Sequence, residues 1–153
     1  TWPLENLRIL EIGCGLALAS LVIHRRFGNI TASDCHPYTQ RFLSANLLLN
    51  ALPVMAYQSG HWARDNPQLG EFDLIIGSDV LYERDHPAQL ADFIQQHAAS
   101  HAQVLIIDPN RGQRSAFSKR MAVHGFGLNR SDIVLPLHDL TPYRGSLLNY
   151  QRD

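Results

Sequence analysis

Strand-length apolar runs alternate with stretches of helical period along this sequence, and no other feature narrows its folding choices so far. Residues 7–12 (LRILEI) read as a strand, broken by Gly13-Cys14-Gly15. Residues 16–27 carry apolar side chains at most positions, which predicts a well-buried helix, with Gly28 placed as the glycine just past its C-terminus. Residues 29–33 form a short second strand. Pro37 suits the first turn of the next helix, where Phe42, Ala45 and Leu49 make an apolar stripe. Residues 54–58 are a third strand, followed by a polar stretch, 61–71, without a helical pattern. Residues 72–76 (FDLII) are apolar enough for a central strand buried on both faces.

Asp85 is placed to cap a helix over residues 86–99, with Leu90, Phe93, Ile94 and His97 inward. Residues 104–107 are a fifth strand. Residues 115–124 are a helix carrying Phe117, Met121 and His124 on one side and ending at Gly125. Residues 129–135 and 146–151 read as two last strands. The roughly ten residues between them are too few for a parallel crossover, so this pair is expected to be antiparallel. Right-handed β-α-β units closed by one reversed strand predict an α/β fold on a seven-stranded open sheet.

The chain's 153 residues suit one domain, residues 1–153. The first apolar run starts almost at once, so either this is a minimal domain or a leading segment lies outside the sequence. A net charge of −1 offers no basic face for nucleic acid, and no partner of that kind is expected. No run approaches the ~18 apolar residues of a membrane span, and the start has no secretion-signal pattern. Two cysteines, Cys14 and Cys35, are too few for a disulfide scaffold, which makes a reducing, cytoplasmic location the expectation.

Ligands of open α/β sheets bind beyond the carboxyl ends of the strands. There, Glu11-Ile12-Gly13-Cys14-Gly15 forms a bend where glycines let a ligand approach the backbone. The second strand leads into Ser33-Asp34, nineteen positions after Gly15. An acid spaced about twenty residues past a glycine turn can accept hydrogen bonds from both hydroxyls of a ribose. A structural turn with a helix-capping Asp34 is the plainer alternative. A nicotinamide dinucleotide is the rival cofactor, but Leu18 stands where its third glycine belongs.

The segment 11–15 resembles motif I of the class I, seven-β-strand S-adenosylmethionine-dependent methyltransferases, with Asp34 matching their acid after the second strand. The resemblance runs over nearly the whole chain. It implies a Rossmann-like, doubly wound sheet, mostly parallel with the last strand antiparallel, in the order 3-2-1-4-5-7-6. It also implies S-adenosylmethionine as cofactor and S-adenosylhomocysteine as product, held by Glu11, Gly13, Cys14, Gly15, Asp34, Cys35, Trp62 and Ser78. Ala17 replaces the third glycine of the motif. The loop after the fourth strand, Gly77-Ser78-Asp79-Val80-Leu81-Tyr82, is similar to the Asp-x-x-Tyr element of the protein-lysine methyltransferase branch, and Trp62 matches a tryptophan of that branch.

Methyl transfer is an in-line displacement, so the protein must chiefly hold a lone pair opposite the methyl group. A carboxylate can orient an amine and an aromatic face can hold a cation. Asp79 is therefore the candidate orienter of the acceptor nitrogen, and Tyr82 a wall of its channel; a helix cap and a packed aromatic are the plainer readings of the pair. The expected reaction is N-methylation of a protein lysine. Histidine, arginine or a small amine as acceptor stays open, as does a degenerate domain that binds without turnover. Residues 108–111 (DPNR) follow the fifth strand at the same edge and either shape substrate entry or form a rigid turn. Cys14, Cys35, His36 and His61 share this edge but lack tight ligand spacing, so no metal is expected. The oligomeric state is not legible.

Overall fold

In the computed structural model, which describes residues 3–136 and 141–152, seven strands form one sheet in the order β3-β2-β1-β4-β5-β7-β6. Along the chain these are β1 (Arg8–Ile12), α1 (Leu18–Arg25), β2 (Asn29–Asp34), α2 (Thr39–Leu49), β3 (Ala56–Ser59), β4 (Phe72–Ser78), α3 (His86–His97), β5 (Ala98–Asp108), α4 (Arg114–Val123), β6 (Gly127–Leu135) and β7 (Tyr143–Arg152). β1 pairs in parallel with β2 and β4, β2 with β3, and β4 with β5. β7 runs antiparallel to both β5 and β6, so it is the one reversed strand. The expected architecture and strand order are borne out.

Strand alternation sends side chains to two cores. From β1, Leu10 and Ile12 join Ile75, Val104, Ile106, Leu148 and Tyr150 under α3 and α4, where Leu90, Phe93, Ile94, Phe117 and Met121 cover them. Ile9 points the other way, with Ile30, Ala32 and Leu74, under Leu21 of α1 and Leu43 and Leu47 of α2. β4 lies mid-sheet, as its composition predicts.

Expectations for three of the helices are corrected. The first helix is not well buried: only Ser20 and Leu21 are, whereas Leu16, Leu18 and Val22 are more than half exposed. One helical face suffices to cover β1 and β2, and the surplus apolar residues have no sheet to meet. Its C-terminus turns at Phe27 (φ 61°), and Gly28 is the next residue, its N–H donating to Ile23 O at 3.0 Å. That is a Schellman closure with the left-handed residue one position earlier than expected. A side chain at Gly28 would run into Ile23 Cγ2, so this glycine is there for close approach.

In α2 the buried stripe is Thr39, Leu43 and Leu47, while Phe42 and Leu49 face solvent. The helix is apolar on two sides, and packing on the sheet selects one of them. Ala98 and Ala99, expected in the third helix, instead begin the long β5, and Asp85 precedes α3 without a side-chain capping bond.

Candidate active site

Register brings the strand ends to one edge: Ile12 lies beside Ser33 and Gly77, Asp34 beside Ser59, and Ser78 beside Ile107. The segments leaving these ends enclose a solvent-open cleft of ≈ 160 Å³, lined by residues that include Gly13, Asp34, Cys35, Trp62, Asp79 and Tyr82. Six of the ten expected site residues therefore meet in one place. They come from four different strand ends.

The floor is the turn after β1. Gly13 and Gly15 have φ of +56° and +52°, values that L side chains rarely adopt. Val80 Cγ1 and Trp62 Cζ2 would lie 3.0 and 3.4 Å from a Cβ on Gly13, so the absent side chain lets them close on the turn. At Gly15 no atom lies within 4 Å of that position, and the backbone there is bare. Ala17, the departure from the motif, is also left-handed (φ 56°) and fully buried at the start of α1. Alanine carries at this position the conformation that glycine adopts freely.

Asp34 is fixed by backbone. Its Oδ2 accepts the Gly15 N–H at 2.9 Å and its Oδ1 the His36 N–H at 2.8 Å. A carboxylate oxygen can accept twice, so each retains capacity toward the cleft. The aspartate thus staples the glycine turn to β2. Its carboxylate stays at the cleft wall.

At the other end, Asp79 leaves β4 in the left-handed region (φ 55°), which aspartate tolerates better than most residues, and its N–H donates to Ile107 O at 2.8 Å. Arg111 grips its carboxylate with both arms, Nε to Oδ1 at 2.5 Å and Nη2 to Oδ2 at 2.7 Å. The guanidinium holds the Asp79 carboxyl below its ordinary pKa. Residues 108–111 do form a turn, and Arg111 reaches from it to the site: the buried Asp108 accepts the Arg111 N–H at 3.1 Å.

An aromatic cluster lies beside this carboxylate. His86 meets Trp62 and Tyr82 edge-on, with ring centroids 4.9 and 4.7 Å apart. Its Nδ1 lies 3.0 Å from Val80 O, an acceptor, which makes Nδ1 the protonated nitrogen and leaves Nε2 the lone pair of the neutral ring. His86 reads in the sequence only as the start of a helix, and Arg111 as part of a segment that either shapes substrate entry or forms a rigid turn. Trp62 packs on the α3-side core and also borders the cleft.

Four of the expected cofactor residues, Glu11, Cys14, Gly15 and Ser78, are not among those lining this cleft. Glu11 is buried and turned to α1, where Oε2 accepts the Ser20 N–H at 2.8 Å and also the Ser20 hydroxyl. Burial pushes its pKa up, against the lowering effect of the Ser20 bonds. The Cys14 thiol is packed in the α1–α2 core, and burial drives its pKa up to about 12. Ser78, like Glu11, lines a separate and mainly apolar pocket with Ile76, Leu105, Ile107 and Leu147. Among the described residues, no three His, Cys, Asp or Glu gather as a metal site.

Fold and edge site together define a class. Solved structures share the fold: a SAM-dependent methyltransferase of Methanosarcina mazei superposes with a TM-score of 0.78 at 12% identity, covering 97% of this chain and 93% of that one. Magnesium protoporphyrin IX methyltransferase of Synechocystis, a structure with bound SAM, gives 0.71 at 17% identity, over 98% and 72%. The chain belongs to the lysine methyltransferase family, whose model matches residues 2–123.

Among curated relatives, the electron transfer flavoprotein beta subunit lysine methyltransferase of Mus musculus is 30% identical over 114 residues, 73% of this chain and 44% of that protein. Protein N-lysine methyltransferase METTL21A of Danio rerio is 31% identical over 112 residues, 68% of this chain and 50% of that one. The chain spans about half the length of the curated relatives it matches.

Proposed function

We propose that this protein is an S-adenosylmethionine-dependent N-methyltransferase acting on a lysine side chain of another protein. One observation carries the reading: a single cleft has Gly13 of the glycine turn and a backbone-fixed carboxylate at one end, and a second carboxylate with an aromatic wall at the other. The residues fit the cofactor. Asp34 has lone pairs left for the two ribose hydroxyls, Gly15 offers uncovered backbone, and Trp62 with Val80 supplies an apolar wall for a flat base. Bound there, the cofactor supplies a methyl group on a positively charged sulfur.

The protein's part is then to position the acceptor. Asp79 draws the amine to the cleft and orients it, and Tyr82 forms the channel wall. A lysine ammonium must shed a proton before its nitrogen can attack. His86 lines the same cleft with its Nδ1 engaged by Val80 O, and its Nε2 is a candidate to receive that proton. Both cysteines are free thiols, which supports a cytoplasmic location, and no described helix is long and apolar enough to cross a membrane.

Calorimetric titration with S-adenosylhomocysteine tests the cofactor; a folded protein that takes up none ends the proposal. Mass spectrometry of proteins methylated in a cell extract then reads the acceptor atom, separating lysine from histidine, arginine or a small amine. The occupation of Asp79 by Arg111 favours a second reading, a domain that binds cofactor without turnover. Consumption of S-adenosylmethionine with any acceptor would dispose of it.

A further inference from the structure

Of the two carboxylates in the cleft, Asp34 is committed to backbone N–H groups and Asp79 to a cation. That cation is mobile chemistry on a fixed mount. The Arg111 backbone is tied to buried Asp108, whereas the Arg111 and Asp79 side chains are 46% and 44% exposed. A half-exposed pair is screened by solvent, so even with its fork geometry at the strong end of the modest range of exposed pairs it can open. Its position matters more than its strength. The guanidinium takes one lone pair on each Asp79 oxygen and neutralises the carboxylate, so a second cation brought to the same group meets like-charge repulsion.

We propose that Arg111 is a latch on the acceptor subsite: its guanidinium occupies Asp79 in the resting protein and is exchanged for the ammonium of the incoming side chain. Arg111 is thus a positioning residue that sets affinity for the amine without touching the methyl donor. Exposed Tyr82 beside the pair offers an aromatic face to the arriving cation. The exchange also grades acceptors. A cationic amine can replace a guanidinium on a carboxylate, and a neutral amide or hydroxyl cannot.

The proposal rests on the methyltransferase reading, and its test keeps the two apart. S-adenosylhomocysteine binding is measured first. Then n-butylammonium, a mimic of the lysine side chain, is titrated while the ¹³C resonance of the Asp79 carboxyl, assigned by its loss in D79N, is followed. The R111Q variant should bind butylammonium about two- to fivefold tighter than the wild type, the range an exposed ion pair is worth. D79N should bind it more weakly, and D79N/R111Q no more tightly than D79N. The KM for a lysine peptide should follow the same order, with kcat changing less.

R111K, which keeps a cation but loses the fork, should fall between wild type and R111Q; it decides the sign if R111Q does not fold. Butylammonium binding that is equal or weaker in variants that retain S-adenosylhomocysteine affinity overturns the latch, because an arginine that braces or shares Asp79 gives that result. Absence of S-adenosylhomocysteine binding by the wild type sinks the methyltransferase reading and takes the latch with it.

Discussion

At the scale of single residues, the same side-chain type does opposite things within one edge. Asp34 faces the cleft and Glu11 is turned away from it, so the two acids predict different phenotypes. Asp34→Ala removes the proposed ribose acceptor and frees the glycine turn. With charged hydrogen bonds worth about 1.5–3 kcal/mol each, S-adenosylhomocysteine affinity should fall at least about tenfold by calorimetry. Glu11→Gln should leave that affinity nearly unchanged and act on stability. Burial raises the folded-state pKa of Glu11 above its ordinary 4.5, so the native protein holds the proton more tightly than the unfolded chain does. The stability this lends is complete below the unfolded pKa and is lost as pH climbs through the folded one. Glutamine can still accept from Ser20 but does not titrate. The melting temperature of Glu11→Gln minus that of the wild type should therefore grow as pH rises above the ordinary glutamate range.

At the scale of elements, what the sequence reveals depends on how local the deciding physics is. Strand type and the reversed strand at the end follow from apolar run length and connection length, visible in residues 7–12, 72–76 and 129–151, whereas the strand order rests on the family resemblance. The turn at residues 13–15, Asp34, Asp79, Tyr82 and Trp62 are legible because each directly follows a strand end. Side-chain direction is less so: Glu11, Cys14 and Ser78 share those segments, yet strand alternation at Glu11 and Ser78 and the left-handed turn around Cys14 point them away from the cleft. His86 and Arg111 depend on how separate loops pack at the edge, which no short window contains. Helix faces fail for a related reason, since α2 offers two apolar stripes and only the sheet chooses between them. Leu43→Ala should cost about 2–5 kcal/mol in urea unfolding, and Leu49→Ala should stay within about 0.5 kcal/mol. Equal losses at both would mean that α2 is rotated from the position described.

At the scale of the whole molecule, two cores on opposite faces share one sheet, and the β6–β7 hairpin is joined to the body through β7. Tyr150 is the central attachment. It is fully buried, meets Phe117 of α4 edge-on at 5.4 Å, and its hydroxyl lies 2.8 Å from Ser118 Oγ. Tyr150→Phe keeps the ring but leaves the serine without this partner, and should lower unfolding stability by about 1 kcal/mol with little effect on ligand affinity.

The placement of β1 carries a consequence for motion. This strand is hydrogen-bonded on both edges and covered on both faces, and the glycine turn rises directly from its end. Its amides should be among the slowest in the protein to exchange with deuterium, whether or not a ligand is bound. The seat of the ligand is thus bolted to the stiffest part of the frame. Adjustment to a guest must come from the connections after β4 and β5, whose amides are the ones expected to slow when the cleft fills.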